Sequence, residues 1–135
     1  MLSIYAIEKI KNIRGRVDKD MKEFTFLKLE YLNGLRFKHM TNRGSIEDFY
    51  LCISRRESIS LIKYIQGVLT GNIKSNIVRS FNNYDISVSR VDSNTFTISV
   101  VENRSQVLCK PIGDFMYSGY MGNVHMLDGL ASALC

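Results

Sequence analysis

Residues 24–41 (FTFLKLEYLNGLRFKHMT) alternate apolar and polar side chains on both sides of Asn33-Gly34. Alternation with period two marks a strand with one covered face, and Asn-Gly between two such runs predicts a β-hairpin. The length of the bend follows from the pairing it imposes. A two-residue bend would set Leu29 against Lys38 and Glu30 against Phe37, mixing charged and apolar groups on both faces. A three-residue bend, Leu32-Asn33-Gly34 with the glycine left-handed, pairs Tyr31 with Leu35, Leu29 with Phe37 and Glu30 with Arg36. One face then becomes apolar and the other polar, the arrangement that burial selects.

The same arithmetic recurs at residues 84–101 (YDISVSRVDSNTFTISVV). A bend Asp92-Ser93-Asn94, with Asn94 left-handed, pairs Val88 with Ile98 and Ile86 with Val100. It also gathers Ser87, Ser89, Thr97 and Ser99 on a face expected to be wet. Between the hairpins, residues 48–53 (DFYLCI) are apolar on both sides and read as an interior strand. Ser54-Arg55-Arg56-Glu57 has the spacing of a capping box, which starts a helix over 55–70 that Gly71 ends, with Leu61, Ile65, Val68 and Leu69 as its buried stripe. Ile73, Ile77 and Phe81 extend the four-residue spacing and predict a second short helix.

At the start of the chain, Ile4, Ile7, Ile10 and Ile13 predict an amphipathic helix over residues 2–14. Towards the end, residues 105–110 read as a strand, Pro111 as its stop or an edge, and 113–122 (GDFMYSGYMG) as a glycine and aromatic loop. Asn123 then caps a last helix carrying Leu127, Leu130 and Leu134. This order predicts an α+β fold: antiparallel sheet from two β-β-β-α halves, with an N-terminal helix and a central helix 55–70. A chain of 135 residues is expected to form one domain spanning 1–135, and 45% hydrophobic with 23% charged residues suffices for a core.

Three cysteines without metal-type spacing fit a reduced, cytoplasmic protein better than a disulfide framework. No apolar run approaches a membrane span, and Glu8, Lys9, Lys11 and Arg14 interrupt any leader-like stretch, so no membrane association is expected. Convergent catalytic groups are few. His39 falls on the apolar face of the first hairpin and His125 near the last helix, with no partner at metal-ligand spacing. Cys52 and Cys109 read as strand thiols, and the stretch 119–123 lacks the lysine of a nucleotide loop. The expectation is a non-enzymatic protein with no catalytic residue, no metal and no cofactor.

Charge carries the functional expectation. Residues 1–43 hold ten Lys/Arg against five Asp/Glu, whereas residues 84–135 hold three against five. A positive field concentrated on one part of a small protein attracts polyanions, so nucleic acid is the first expected partner. The expected site joins Lys28, Arg36 and Lys38 on the polar hairpin face to Arg55 and Arg56 at the helix start, with Phe24 and Phe26 exposed for base stacking. Cations in a first helical turn oppose the macrodipole, and a bound phosphate would reverse that penalty. The alternative is a protein-binding adaptor or inhibitor, homodimeric, using Phe115, Met116, Tyr117, Tyr120, Met121 and the terminal helix.

The α-β-β-β-α order of the first half, with Ser54-Arg55-Arg56-Glu57-Ser58, resembles the double-stranded RNA-binding domain over five residues. The continuation ISLIKYIQ departs from that family's alanine-rich helix, so its function is not carried over. The element order also resembles small secretion chaperones, which tend to be acidic where this chain has a net charge of +5.

Overall fold

In a computed structural model, residues 22–103, 109–119, 127 and 134 are described. Among the described residues, seven strands form one sheet in the order β3-β2-β1-β7-β6-β5-β4. In chain order they are β1 (Lys22–Tyr31), β2 (Leu35–Met40), β3 (Ile46–Leu51), β4 (Val78–Phe81), β5 (Tyr84–Arg90), β6 (Thr95–Asn103) and β7 (Cys109–Ser118). Two antiparallel meanders meet at the centre, where β1 runs parallel to β7 and Phe24 lies beside Tyr117. The sheet is therefore mixed. This corrects the expectation of an antiparallel sheet from two β-β-β-α halves, because β1 pairs parallel with β7 and residues 78–81 add a strand where a second helix was expected.

One helix, α1 (Arg55–Thr70), connects β3 to β4, the two outermost strands. At 1.5 Å per residue, sixteen residues reach about 24 Å, close to the roughly 29 Å that six strand spacings span before twist narrows the sheet. The helix thus crosses one face of the sheet. Leu61, Ile62, Tyr64, Ile65, Val68 and Leu69 bury against an inner face that includes Leu29, Phe37, Ile86, Val88 and Ile98. Tyr64 anchors the crossing: its hydroxyl donates to the Ile77 carbonyl and accepts from the Val88 amide at 3.1 Å.

The helix ends lie where the expected signals put them. Ser54 Oγ accepts from the Glu57 amide at 3.1 Å, and Gly71 closes the other end at φ 83°, in the left-handed region. Glu57 does not complete a reciprocal box. Its carboxylate accepts from the Asn82 amide, while Asn82 Nδ2 donates to the Cys52 carbonyl at 3.1 Å, so the helix start is tied to the β4–β5 bend.

Both hairpin registers match the pattern argument. Tyr31 pairs with Leu35, Leu29 with Phe37 and Glu30 with Arg36; Val88 pairs with Ile98 and Ile86 with Val100. The bend conformations differ from expectation. Asn33 takes the left-handed conformation, and Asn94 has no positive φ because Asp92 holds its amide through Oδ1 at 2.8 Å. Gly34 has a positive φ of 155°, and the Tyr50 ring lies where its Cβ would be.

Three local readings are overturned. Residues 78–81 form β4 in place of a second helix, because Asn82-Asn83 makes a bend that pairs Phe81 with Tyr84. β3 lies at one end of the described sheet, so it is not interior. Phe115 and Tyr117 belong to β7, where a loop was expected; Pro111 fits this strand because the ladder to β6 shifts register beside its partner Val101. The expected N-terminal helix lies outside the described residues, as do Tyr120, Met121 and His125. Leu127 and Leu134 are helical and buried.

Candidate functional site

The outer face of β1–β3, opposite α1, collects the charged side chains of the first meander. Lys28 lies directly across from Lys38, and Glu30 across from Arg36. Two ammonium groups facing each other would repel, and Glu30 relieves this by lying between them. Its carboxylate accepts from Lys28 Nζ at 2.7 Å and lies 3.9 Å from Lys38 Nζ. The Lys28 hydrogen bond holds the Glu30 carboxyl below its ordinary range, against a smaller opposing effect of desolvation. Arg36 lies 3.7 Å from Asp48 on β3, and its guanidinium stands 5.0 Å from the centre of the Tyr50 ring.

The cations expected to act together are therefore divided. Lys28, Arg36 and Lys38 share the outer face, each beside a carboxylate. Arg55 and Arg56 begin the helix on the other side of the sheet, where Arg55 lies 5.9 Å from the Tyr31 ring.

Phe24 and Phe26 also lie away from that face, which corrects their expected exposure. Phe26 is 1% exposed, and Phe24 packs half-buried against His39, Phe115 and Tyr117. The cause is a bulge. Phe26 pairs with His39 but Lys28 pairs with Lys38, so Leu27 is an extra residue that turns everything before it to the opposite face. Phe26 offers no base-stacking surface, and Phe24 lies away from the face that carries Lys28, Arg36 and Lys38. The exposed aromatic beside the cations is Tyr50, whose alternation with Asp48 in DFYLCI could have revealed it.

The partner-binding group is also redistributed. Phe115 and Tyr117 are core residues, and Met116 is half-buried beside Thr97. Apolar exposure lies instead on the outer face near the sheet end. Ile46 is 65% exposed and pairs with exposed Met40, while Tyr50 on the same strand is 40% exposed.

His39 is an inner-face titratable group of the first hairpin. It is 3% exposed, stacks on Phe24 at 4.0 Å and places Nδ1 3.3 Å from the Tyr117 hydroxyl. Burial holds the imidazole below its ordinary pKa, while Glu47 and Asp48 pull the other way. Burial also raises the Tyr117 phenol far above its usual range, so both rings remain neutral near pH 7 and act as packing groups.

A cavity of about 720 Å³ opens between the first residues of β1 and the β2–β3 turn, with Lys22, Glu23, Phe24, Thr41, Arg43 and Glu47 in its wall. Composition drew no attention to this set, because it assembles from two strand ends. Among the described residues, no group of three or more His, Cys, Asp and Glu is placed to hold a metal ion. No described helix is long and apolar enough to cross a membrane. Compared with protein families, curated proteins and solved structures, the chain matches none.

Proposed function

We propose that this chain is a non-enzymatic binding module that takes a protein partner on the outer face and edge of β3, an end strand among the described residues. The observation that carries this reading is the exposed row Met40, Ile46 and Tyr50 at the end of the described sheet, bordered by charges already matched in sign. Aromatic, methionine and arginine side chains are the groups that interfaces favour. An end strand also offers backbone donors and acceptors to an incoming strand. His39 and Tyr117 support a binding role in place of catalysis, since both are spent on packing. An exposed Cys52 thiol suits a reducing, cytoplasmic setting.

The test is a photo-cross-linking residue placed at Ile46 and, as a control, at exposed Val91 in the far hairpin. A discrete adduct from position 46 alone, lost when Tyr50→Lys is added, is the expected result; twice the chain mass would identify a second copy. Equal labelling from both positions, or none, overturns the reading.

A second reading, polyanion binding, is favoured by Lys28, Arg36 and Lys38 lying on one face with Tyr50. It requires oligonucleotide affinity that falls steeply with salt and drops in a Lys28→Gln, Lys38→Gln variant. Salt-independent binding, or none at low salt, removes it.

A further inference from the structure

The first residues of β1 extend beyond the end of β2. The β1–β2 ladder begins at Thr25 and Met40, whereas Lys22, Glu23 and Phe24 pair only with β7. The edge of β1 that faces away from β7 has no strand partner along residues 22–24 among the described residues. Across the gap stands the turn 41–45, closed on itself by Thr41 N donating to the Ser45 carbonyl at 2.8 Å, Gly44 N to the Thr41 carbonyl at 3.0 Å and Ser45 N to Thr41 Oγ1 at 3.2 Å. The 720 Å³ cavity lies between these walls, within the 300–1,000 Å³ or so that small-molecule sites occupy.

Its chemistry differs from that of the neighbouring outer face. There, every cation of the cluster lies within 4 Å of a carboxylate. Around the cavity, Lys22, Arg43, Glu23 and Glu47 form no ion pair among the described residues, although charges of both signs border one space. Beside them lies a fixed aromatic ring, Phe24, braced from behind by His39 and flanked by Phe115 and Tyr117. Among the described residues, two cations and two carboxylates without an ion pair, a strand edge without a strand partner and a ring complement one molecule that carries both charges, a backbone and an apolar side chain.

We propose that this cavity binds a short zwitterionic peptide, two or three residues long with both ends free. Its carboxylate lies at Lys22 and Arg43, its amine at Glu47, its apolar side chain on Phe24, and its backbone along the edge of β1 that has no strand partner among the described residues. The site is separate from the β3 outer face and does not depend on that reading.

The test is calorimetric titration of the full chain with the dipeptides Phe-Gly, Phe-Leu, Phe-Lys and Phe-Glu, each also N-acetylated and C-amidated, with adenosine monophosphate as an anionic aromatic comparator. At least one free dipeptide is expected to saturate one site, and blocking either end to weaken it tenfold or more. Glu47→Gln is expected to weaken the free peptide but not its acetylated form, and Arg43→Gln to weaken the free peptide but not its amide. Because both side chains are exposed, neither change threatens the fold. Lys28→Gln, on the outer face, leaves the affinity unchanged. Absence of binding at millimolar peptide, indifference to blocked ends, or tighter binding of the nucleotide overturns the proposal.

Discussion

The two hairpins share an inner design and differ in what they do with the outer face. β1–β2 and β5–β6 each turn an apolar row toward α1, in the register that alternation predicts. Outward, β1–β2 carries Lys28, Glu30, Arg36 and Lys38 in partial contact with solvent. β5–β6 instead carries Ser87, Thr97 and Ser99, all buried, beside buried Asp85, whose carboxylate accepts from Ser80 Oγ at 3.0 Å and Asn103 Nδ2 at 3.3 Å. The serine and threonine face was expected to be wet. The contrast teaches that inner-face periodicity specifies register, whereas polar composition alone does not say whether a second face meets water. A small hydroxyl tolerates burial wherever it finds a partner; a lysine almost never does.

The largest break in the comparison concerns Phe26. Beyond the Leu27 bulge, β1 presents to the core a residue that unbroken alternation would have put outside. Phe26→Ala is expected to destabilise the protein by about 3–5 kcal/mol in denaturant unfolding, the cost of emptying a buried aromatic site. An outward ring would change stability by no more than about 0.5 kcal/mol. A loss that small would mean that the bulge is absent and both hairpins alternate without interruption.

A smaller effect separates the two outer faces. Ser99 is 4% exposed and lies across from Asp114. Ser99→Asp adds a third carboxylate to a covered face that already holds Asp85 and Asp114, and is expected to cost about 2–3 kcal/mol, the desolvation of an uncompensated charge. Lys28→Ser, at a half-buried site open to water, is expected to stay within about 0.5 kcal/mol. Equal costs would erase the distinction between the faces.

Local chemistry made much of the fold legible. Asn33-Gly34, Ser54 with Glu57, and Gly71 each act within a few residues of themselves, so their signals survive without tertiary context. The Asn82-Asn83 bend was equally local but lay inside an apparent helical spacing formed by Ile73, Ile77 and Phe81. The rest was not local. The bulge at Leu27 contains no glycine to announce it, and its position depends on β7 pairing with residues 22–25. That pairing joins Lys22 to Phe115 across most of the chain, and Gly113 with Gly119 disguised the strand as a loop. The site suffered accordingly. Alternation puts Lys28, Arg36 and Lys38 on one hairpin face, but one extra residue turns Phe24 and Phe26 to the other, and Arg55 and Arg56 start the helix across the sheet.

The finest distinction lies between the inner faces. Ile86, Val88, Ile98 and Val100 give β5–β6 an apolar interior, whereas β2 contributes His39 to the corresponding layer, between Phe24 and the Tyr117 hydroxyl and across from Glu47. Burial depresses the imidazole pKa in the folded protein despite Glu47 and Asp48. The unfolded chain therefore binds more protons than the folded chain as pH falls through the ordinary histidine value near 6.5, and stability declines on acidification. One proton sets a limiting slope of about 1.4 kcal/mol per pH unit, approached only below that value. Unfolding free energies measured from pH 7.5 to 5.5 are expected to decline along this curve, and His39→Gln, which keeps a polar group near Tyr117 but does not titrate, to flatten it. A slope that survives the substitution would assign the proton uptake elsewhere and leave the two inner faces electrostatically alike.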